Sequence, residues 1–232
     1  MKIVLLPGMD GTGNLFADFC AELAPLFEPE IIPYPTDIPQ SIETLAGYVE
    51  SKVPHTESYI LLAESFSGRI AYEVAQRGNT NIHSIVLVAT FLQNPYPTIT
   101  PLHHIVPIHW LANIPIPDWI LRQFLLGSAM TPTLADCFRA SVRSIPSKIM
   151  RKRLNSIATM SLPTTPLTKH CLYLQATEDV LIPKRCVRDF ERSCSNLTVQ
   201  PITGKHFLLQ SSPYECAIAV ERFIYEKSCS GR

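Results

Sequence analysis

The chain has 232 residues, of which 46% are hydrophobic and 17% charged, and its formal net charge is zero. This composition excludes a disordered polymer and predicts a folded protein with a large core. The balanced charge gives no overall attraction for nucleic acid, so we expect no nucleic-acid partner.

The N-terminal residues and the cysteines indicate a cytoplasmic protein. Only four apolar residues separate Met1-Lys2 from Pro7-Gly8, too few for a signal peptide or a membrane span. The seven cysteines are scattered without metal-binding spacing, so we expect reduced thiols and no metal site.

Continuous apolar runs predict strands that are buried on both faces. In chain order they are Lys2–Leu6, Glu30–Tyr34, Tyr59–Leu62, Ser84–Ala89, Cys171–Gln175 and Leu197–Pro201. Helical patterns lie between them, at Leu15–Phe27, Ile42–Val53, Ser67–Arg77, Pro183–Ser193 and Pro213–Lys227. This alternation predicts an α/β fold, with a mostly parallel sheet of about six strands flanked by helices.

One long segment, between about Gln93 and Thr168, shows no strand pattern. It begins with a proline-rich stretch and continues with helix-like pieces at Trp119–Leu126, Pro132–Ser144 and Lys148–Met160. We therefore predict a helical cap at residues 94–167, inserted into a core that comprises residues 1–93 and 168–232.

A serine lies at the abrupt change from the third strand to the helix that follows it. Residues 60–76 read ILLAESFSGRIAYEVAQ, so the apolar run stops at Ala63-Glu64-Ser65 and a helical pattern starts at once. Ser65 is either a helix N-cap or a nucleophile held on a tight strand-to-helix turn.

Two further reactive side chains follow predicted strands. Because the carboxyl ends of parallel strands share one edge of the sheet, Ser65, Asp179 and His206 are expected to lie close together. A serine hydroxyl becomes a good nucleophile only beside a base that is itself oriented by an acid. The three residues thus predict a catalytic triad, with Glu178 as the alternative acid. Taken singly, Asp179 could cap a helix and His206 could be an ordinary loop residue.

With its order Ser–Asp–His, the chain resembles the α/β-hydrolases over nearly its whole length. The GxSxG motif of that family is represented by Ala63-Glu64-Ser65-Phe66-Ser67, with other small residues in place of the glycines. Asp179-Val180-Leu181-Ile182-Pro183 and Gly204-Lys205-His206 match the surroundings of the acid and the histidine. The resemblance implies an oxyanion hole formed by the backbone amides of Met9 and Phe66, and no cofactor.

The glycine-rich loop after the first strand, PGMDGTG at residues 7–13, has a second interpretation as a phosphate cradle. It matches neither GxxxxGK[ST] nor GxGxxG, which argues against a nucleotide site. Asp10 in this loop either shapes the backbone or faces the site.

The predicted cap is basic although the molecule is neutral. Residues 100–160 contain seven lysines and arginines but two aspartates, a net charge of +5, so the remainder carries −5. Arg139 and Arg143 are four residues apart and share a helix face. Such charge either keeps the cap solvated or binds a phosphate or an acidic protein.

In its cap position and cap charge, the chain is similar to the bacterial pimeloyl-acyl-carrier-protein methyl ester esterases of biotin synthesis. The resemblance implies that Arg139 and Arg143, with Arg151 and Arg153 as further candidates, bind an acyl carrier protein. The PGMDGTG loop departs from the HGW-like loop that is more common in that family.

The cap also contains apolar residues that we expect to pack it onto the sheet, with some lining an acyl channel. They are Leu102, Ile105, Val106, Ile108, Trp110, Leu111, Trp119, Ile120 and Phe124. The chain is therefore predicted to be a serine hydrolase of carboxylic esters, with pimeloyl-acyl-carrier-protein methyl ester as the first candidate substrate. The alternatives are a generic short-chain carboxylesterase, an acyltransferase or a non-catalytic binding protein with this fold.

Overall fold

The computed structural model describes residues 1–97 and 116–229. In these residues six strands form one sheet in which every pair is parallel, in the spatial order β2-β1-β3-β4-β5-β6. The strands are β1 Lys2–Leu6, β2 Glu28–Ile31, β3 Tyr59–Glu64, β4 Ile82–Val88, β5 Leu167–Ala176 and β6 Cys194–Ile202. The predicted α/β architecture is confirmed.

The helices follow the strands in alternation, except between β4 and β5. They are α1 Ala17–Leu23, α2 Ile42–Glu50, α3 Ser67–Gln76, α4 Pro132–Ser144, α5 Ser147–Ala158, α6 Val187–Ser193, α7 Leu208–Ser211 and α8 Pro213–Cys229. A helical turn at Asp118–Ile120 runs into a π-helix at Leu121–Leu126. Short 3₁₀ turns occupy Asn14–Phe16, Gly127–Ala129 and Lys184–Cys186.

The sheet has a separate apolar core on each face. In β1, Val4 and Leu6 pack into the cluster that includes residues of α2 and α3, whereas Ile3 and Leu5 pack into the cluster on the α1 and α8 side. Both faces of β1 and β3 are therefore buried, which explains why these central strands are continuous apolar runs in the sequence.

The second strand was wrongly placed by the sequence pattern. Glu30–Tyr34 was expected, but β2 is Glu28–Ile31. The Ile32 N–H still donates to the Leu5 carbonyl at 3.1 Å. Pro33 then has no N–H to offer the sheet. The Tyr34 N–H instead donates at 2.8 Å to the Gly11 carbonyl in the loop after β1, so this segment supports that loop.

The helices between β4 and β5 pack onto loops at the carboxyl edge of the sheet. Pro132 begins α4, and the Thr131 side chain caps it by accepting the Leu134 N–H at 3.1 Å. The apolar side of these helices forms a cluster with Leu15 and Phe207, which follow β1 and β6. Residues 98–115 lie outside the described residues. They include six of the apolar residues expected to pack the cap or line a channel, namely Leu102, Ile105, Val106, Ile108, Trp110 and Leu111.

Within the described ranges, the helices are all too short or too polar to cross a lipid bilayer. The six cysteines whose side chains are described are free thiols.

Candidate active site

Ser65 lies on a tight turn between β3 and α3. Its φ is +51°, a left-handed conformation that is unfavourable for a residue with a Cβ atom by about 1 kcal/mol or more. The turn is fixed at both sides, because the Ser65 N–H donates to the Val88 carbonyl at 2.9 Å and its carbonyl accepts the Gly68 N–H at 3.2 Å. The strand thus becomes a helix within two residues, and the serine is partly exposed at the bend.

Ser67 and Gly68, the second and third residues after Ser65, are small, and this lets α3 pack closely against the end of β4. A Cβ atom on Gly68 would lie 2.0 Å from the Thr90 hydroxyl, so α3 can approach β4 only with glycine there. Ser67, in place of the second glycine of the motif, is fully buried, and its hydroxyl bonds to the Pro7 carbonyl and the Tyr34 hydroxyl. It thereby connects the turn to the end of β1.

The structure brings Ser65, His206 and Asp179 together in one hydrogen-bonded series. His206 Nε2 lies 2.9 Å from Ser65 Oγ, and His206 Nδ1 lies 2.8 Å from Asp179 Oδ2. Asp179 Oδ1 accepts the N–H groups of Leu181 and Ile182 at 2.8 and 2.9 Å. The His206 and Asp179 side chains are both buried. This is the arrangement in which an imidazole can remove the proton of a serine hydroxyl while a carboxylate fixes its tautomer.

The alternative acid has a different partner. The Glu178 carboxylate pairs with Lys205 Nζ at 2.9 Å, and its side chain is half exposed. Of the two adjacent acids, the structure therefore places Asp179 at His206.

The two amides expected to form the oxyanion hole border the same cavity as Ser65. Met9 and Phe66 both line it, next to Ser65 and His206. Within the described ranges, neither of their N–H groups donates a hydrogen bond to another protein group. Both donors are therefore available to a ligand oxygen.

Asp10 shapes the loop after β1. Its carboxylate accepts the Thr12 N–H at 3.0 Å and also bonds to the Thr12 hydroxyl. The Gly11 N–H donates to the Gly8 carbonyl at 3.0 Å and closes a turn. A carboxylate that takes up a loop amide is unfavourable for a phosphate, which argues further against the nucleotide interpretation.

The cavity beside Ser65 is large and apolar. Its volume is about 750 Å³, and the lining includes Phe91, Leu125, Phe138, Met150, Leu154 and Ile157. Among its described lining residues, the titratable side chains are those of Asp10, Tyr96 and His206, without a lysine or arginine. Such a wall suits an uncharged apolar group. Of the nine apolar cap residues among which we expected some to line an acyl channel, Trp119, Ile120 and Phe124 do not line this cavity, and Trp119 is 64% exposed.

The expectation that Arg153 contacts a partner is wrong, because its side chain is directed inward. Arg153 is 1% exposed and donates from Nη1 to the Met9 carbonyl at 2.8 Å and from Nε to Gln40 Oε1 at 2.9 Å. It is four residues after the buried Ile149 and so lies on the inner face of α5, whereas Arg151 is exposed.

Arg139 is held within the cap. It forms an ion pair with Asp118, lies 3.3 Å from Asp136, and donates to the Ile116 carbonyl at 2.9 and 3.0 Å. Its charge is therefore largely neutralised locally. Arg143, one turn later, is exposed, so Arg143 and Arg151 are the candidates that face solvent.

Sequence reasoning missed Glu64, which directly precedes Ser65 and is 3% exposed. Burial, with a smaller contribution from the Asp10 carboxylate, raises the pKa of the Glu64 side chain to about 8. With its amide oriented to satisfy its neighbours, Gln210 donates to Glu64 Oε1 at 3.0 Å and to the Phe207 carbonyl at 3.2 Å. The available signal was an acidic residue within an apolar strand. Glu64 joins the Ser65 turn to the segment after His206.

We predict that Glu64→Gln removes a pH dependence of stability. The pKa of Glu64 is raised in the folded state from its ordinary value of 4.5 to about 8, so the native protein keeps a proton that the unfolded chain loses. This stabilisation is complete below pH 4.5 and is lost as the pH rises towards 8, by an amount on the order of a few kcal/mol. Urea denaturation at pH 5 and pH 8 should show a smaller fall for Glu64→Gln than for wild type.

The matched control is Glu191→Gln, which removes an exposed carboxylate on α6 and should keep the wild-type pH dependence. An equal fall in the free energy of unfolding between pH 5 and pH 8 for Glu64→Gln and wild type would contradict the assignment of a protonated Glu64.

Comparison with known proteins identifies the fold. No family model and no curated protein sequence matches the chain. Its structure is similar to the enol-lactonase of Burkholderia xenovorans, with 16% identity, a TM-score of 0.79, and coverage of 97% of this chain and 91% of that chain. A lipase-esterase related protein from Clostridium acetobutylicum matches with 14% identity, a TM-score of 0.77 and coverage of 96% and 93%.

A third similar structure is the thioesterase of the prodiginine biosynthetic pathway of Streptomyces coelicolor, with 18% identity, a TM-score of 0.70 and coverage of 96% of this chain and 84% of that chain. These similarities extend over nearly the whole chain at low identity. The chain therefore has the α/β-hydrolase fold.

Proposed function

We propose that this protein is a serine hydrolase that cleaves carboxylic esters through an acyl-enzyme. The observation that carries the proposal is the series of hydrogen bonds from Asp179 through His206 to Ser65 at the wall of an apolar cavity. His206 Nε2 takes the proton from Ser65 Oγ as the oxygen attacks the ester carbonyl. The alcohol leaves with the proton from His206, and a water molecule then releases the acid by the reverse steps.

The Met9 and Phe66 amides are proposed to stabilise the negative oxygen of the tetrahedral intermediates. One such donor contributes about 3–4 kcal/mol to transition-state stabilisation in comparable sites. Phe66 follows the nucleophile directly, and both amides are unengaged within the described ranges, which supports this role.

The apolar cavity favours a substrate whose acyl group is uncharged where it lies in the cavity. Its lining lacks a described lysine or arginine to pair with a carboxylate. The similar structures include proteins named as an esterase-related protein, a lactonase and a thioesterase, and all three reaction types transfer an acyl group from a leaving oxygen or sulfur. This agreement supports an acyl-enzyme mechanism here.

The direct test is at Ser65. A fluorophosphonate probe is expected to phosphonylate Ser65, located by mass spectrometry of the digested protein, and nitrophenyl esters are expected to be turned over. Folded protein that gains no adduct and hydrolyses no ester would instead support the non-catalytic alternative.

For the physiological substrate we propose the methyl ester of a pimeloyl group carried by an acyl carrier protein. The neutral methyl ester of a methylene chain fits an apolar cavity beside Ser65. The basic cap, with a net charge of +5 over residues 100–160, is complementary to an acidic carrier. With Arg153 buried and Arg139 paired inside the cap, Arg143 and Arg151 are the proposed carrier contacts.

Reversing these two charges should separate a carrier-linked substrate from a free ester. We predict that Arg143→Glu with Arg151→Glu lowers kcat/KM for the carrier-linked ester about 10- to 100-fold, because the acidic carrier is then repelled. Hydrolysis of nitrophenyl acetate should stay within about twofold, since neither side chain lines the cavity. Both rates are measured under steady-state conditions at low ionic strength.

Arg188→Glu with Arg192→Glu is the matched control, because it makes the same change in net charge on exposed positions of α6. It should leave the ratio of kcat/KM for the carrier-linked ester to that for nitrophenyl acetate unchanged. If the cap variant changes both rates equally, or neither, the carrier assignment is rejected and a generic short-chain carboxylesterase is favoured. Complementation of a biotin auxotroph that lacks its methyl esterase tests the pathway itself.

A further inference from the structure

Arg153 is a buried cation that connects the cap to the loop after β1. Its Nη1 donates to the Met9 carbonyl at 2.8 Å, its Nε donates to Gln40 Oε1 at 2.9 Å, and its guanidinium carbon lies 5.6 Å from the centroid of the Tyr34 ring. Among the described residues, no ion pair involves Arg153. A buried arginine is costly unless its hydrogen bonds are used, so the position requires an explanation.

The loop is built to receive the guanidinium. Gly11 has φ +71°, and a Cβ atom there would lie 2.3 Å from Arg153 Nη1 and 2.7 Å from Nη2. The absence of a side chain at Gly11 therefore both permits the backbone turn and leaves the space that Arg153 fills. A charged donor to a carbonyl oxygen also makes a stronger hydrogen bond than a neutral one.

The residue that Arg153 holds is one of the two proposed oxyanion donors. Met9 lines the cavity, its N–H has no partner among the described residues, and its carbonyl accepts a hydrogen bond from Arg153. An oxyanion donor is effective only when it is already oriented before the reaction. A glycine-rich loop does not supply that rigidity by itself, because glycine leaves the backbone conformationally free.

We propose that Arg153 is a positioning residue of the oxyanion hole, which holds the Met9 carbonyl so that the Met9 N–H stays directed at the cavity. The inference rests on the proposed function, because it assigns Arg153 to the hydrolytic site. It also gives α5 two roles, since Met150, Leu154 and Ile157 of the same helix line the cavity. The cap thus contributes to the catalytic geometry as well as to the pocket wall.

The test replaces Arg153 with methionine, which keeps an unbranched apolar stem and removes every donor. For a nitrophenyl ester we expect kcat to fall about 10- to 100-fold while KM changes less than about threefold, because a donor displaced by about 1 Å loses mainly transition-state stabilisation. Arg153→Lys keeps the charge but cannot bridge Met9 and Gln40, so its kcat should lie between those of wild type and Arg153→Met. Lys152→Met, an exposed neighbour on α5, should match wild type.

A second readout separates this role from general support of the fold. A boronic acid forms a tetrahedral anion on the serine oxygen, so its inhibition constant should rise by about the same factor as kcat falls. Binding of a ground-state amide analogue should change less than about threefold. Should Arg153→Met not fold, the same measurements on Arg153→Lys decide the question.

Unchanged kcat and boronic acid affinity in folded Arg153→Met, or in Arg153→Lys where the methionine variant does not fold, would overturn the inference while leaving the proposed function in place. A rise in KM alone would also overturn it, because Arg153 would then support only the pocket. Failure of the proposed function has a separate signature, in which the wild-type protein takes up no fluorophosphonate and hydrolyses no ester.

Discussion

Replacing Ser65 with alanine is expected to lower kcat/KM for a nitrophenyl ester by about 10⁴- to 10⁶-fold. The change removes one oxygen atom, the one that lies 2.9 Å from His206 Nε2. The imidazole then has no hydroxyl to deprotonate, whereas the cavity and the proposed oxyanion amides of Met9 and Phe66 are retained. The residual rate should therefore exceed that of the uncatalysed reaction. Steady-state kinetics measure the fall in kcat/KM, and the folded variant should take up no fluorophosphonate at this position.

The fold is not expected to suffer from this replacement. Alanine keeps the Cβ atom and the backbone hydrogen bonds to Val88 and Gly68, so thermal denaturation should show a melting temperature close to that of wild type. Turnover above about a tenth of the wild-type rate by folded Ser65→Ala would contradict the proposal, because the nucleophile would then be another group.

The meeting of Ser65, Asp179 and His206 was predictable because it follows from topology. In a parallel sheet the carboxyl ends of all strands lie at one edge, so residues at the ends of β3, β5 and β6 are brought together whatever their separation in sequence. Ser65, Asp179 and His206 follow those ends and meet as expected. The choice between Asp179 and Glu178 needed coordinates, since adjacent residues differ in direction by local turn geometry alone.

The roles of Arg153 and Glu64 were not predictable from the sequence. A charged residue is normally solvated, so a basic segment on a helix suggests an exposed face. The spacing of Ile149, Arg153 and Ile157 places Arg153 on the apolar face of α5, but its contact with the Met9 carbonyl in the loop after β1 is a long-range contact that local periodicity does not encode. The hydrogen-bond partner of the buried Glu64 is likewise distant in sequence, because it is Gln210, 146 residues later in the chain.

The second strand shows a smaller failure of the same kind. Its apolar residues Ile31, Ile32 and Tyr34 resemble the end of a strand, but Pro33 interrupts the hydrogen-bonding of the edge. Tyr34 is used instead to hold the Gly11 carbonyl and to contact Arg153. The sequence predicts that these apolar residues are at least partly buried, although it does not show which neighbours they contact.

Replacing Asp179 with asparagine is expected to lower kcat about 10⁴-fold at neutral pH while the fold is retained. The asparagine oxygen can still accept the Leu181 and Ile182 N–H groups, as Asp179 Oδ1 does. Its NH₂ group then faces His206 Nδ1 and donates to it, so the imidazole carries its proton on Nε2. In that tautomer Nε2 points an N–H at Ser65 Oγ and cannot accept the serine proton.

Glu178→Gln is the matched control, because it makes the same chemical change one residue earlier. Its partner is Lys205 at the surface, so kcat should remain within about twofold of wild type and stability should change by less than about 1 kcal/mol. A larger loss of kcat in Glu178→Gln than in Asp179→Asn would show that Glu178 is the functional acid and would contradict the role assigned to Asp179. A loss confined to Asp179→Asn, with KM nearly unchanged, would place the defect in proton transfer and not in binding.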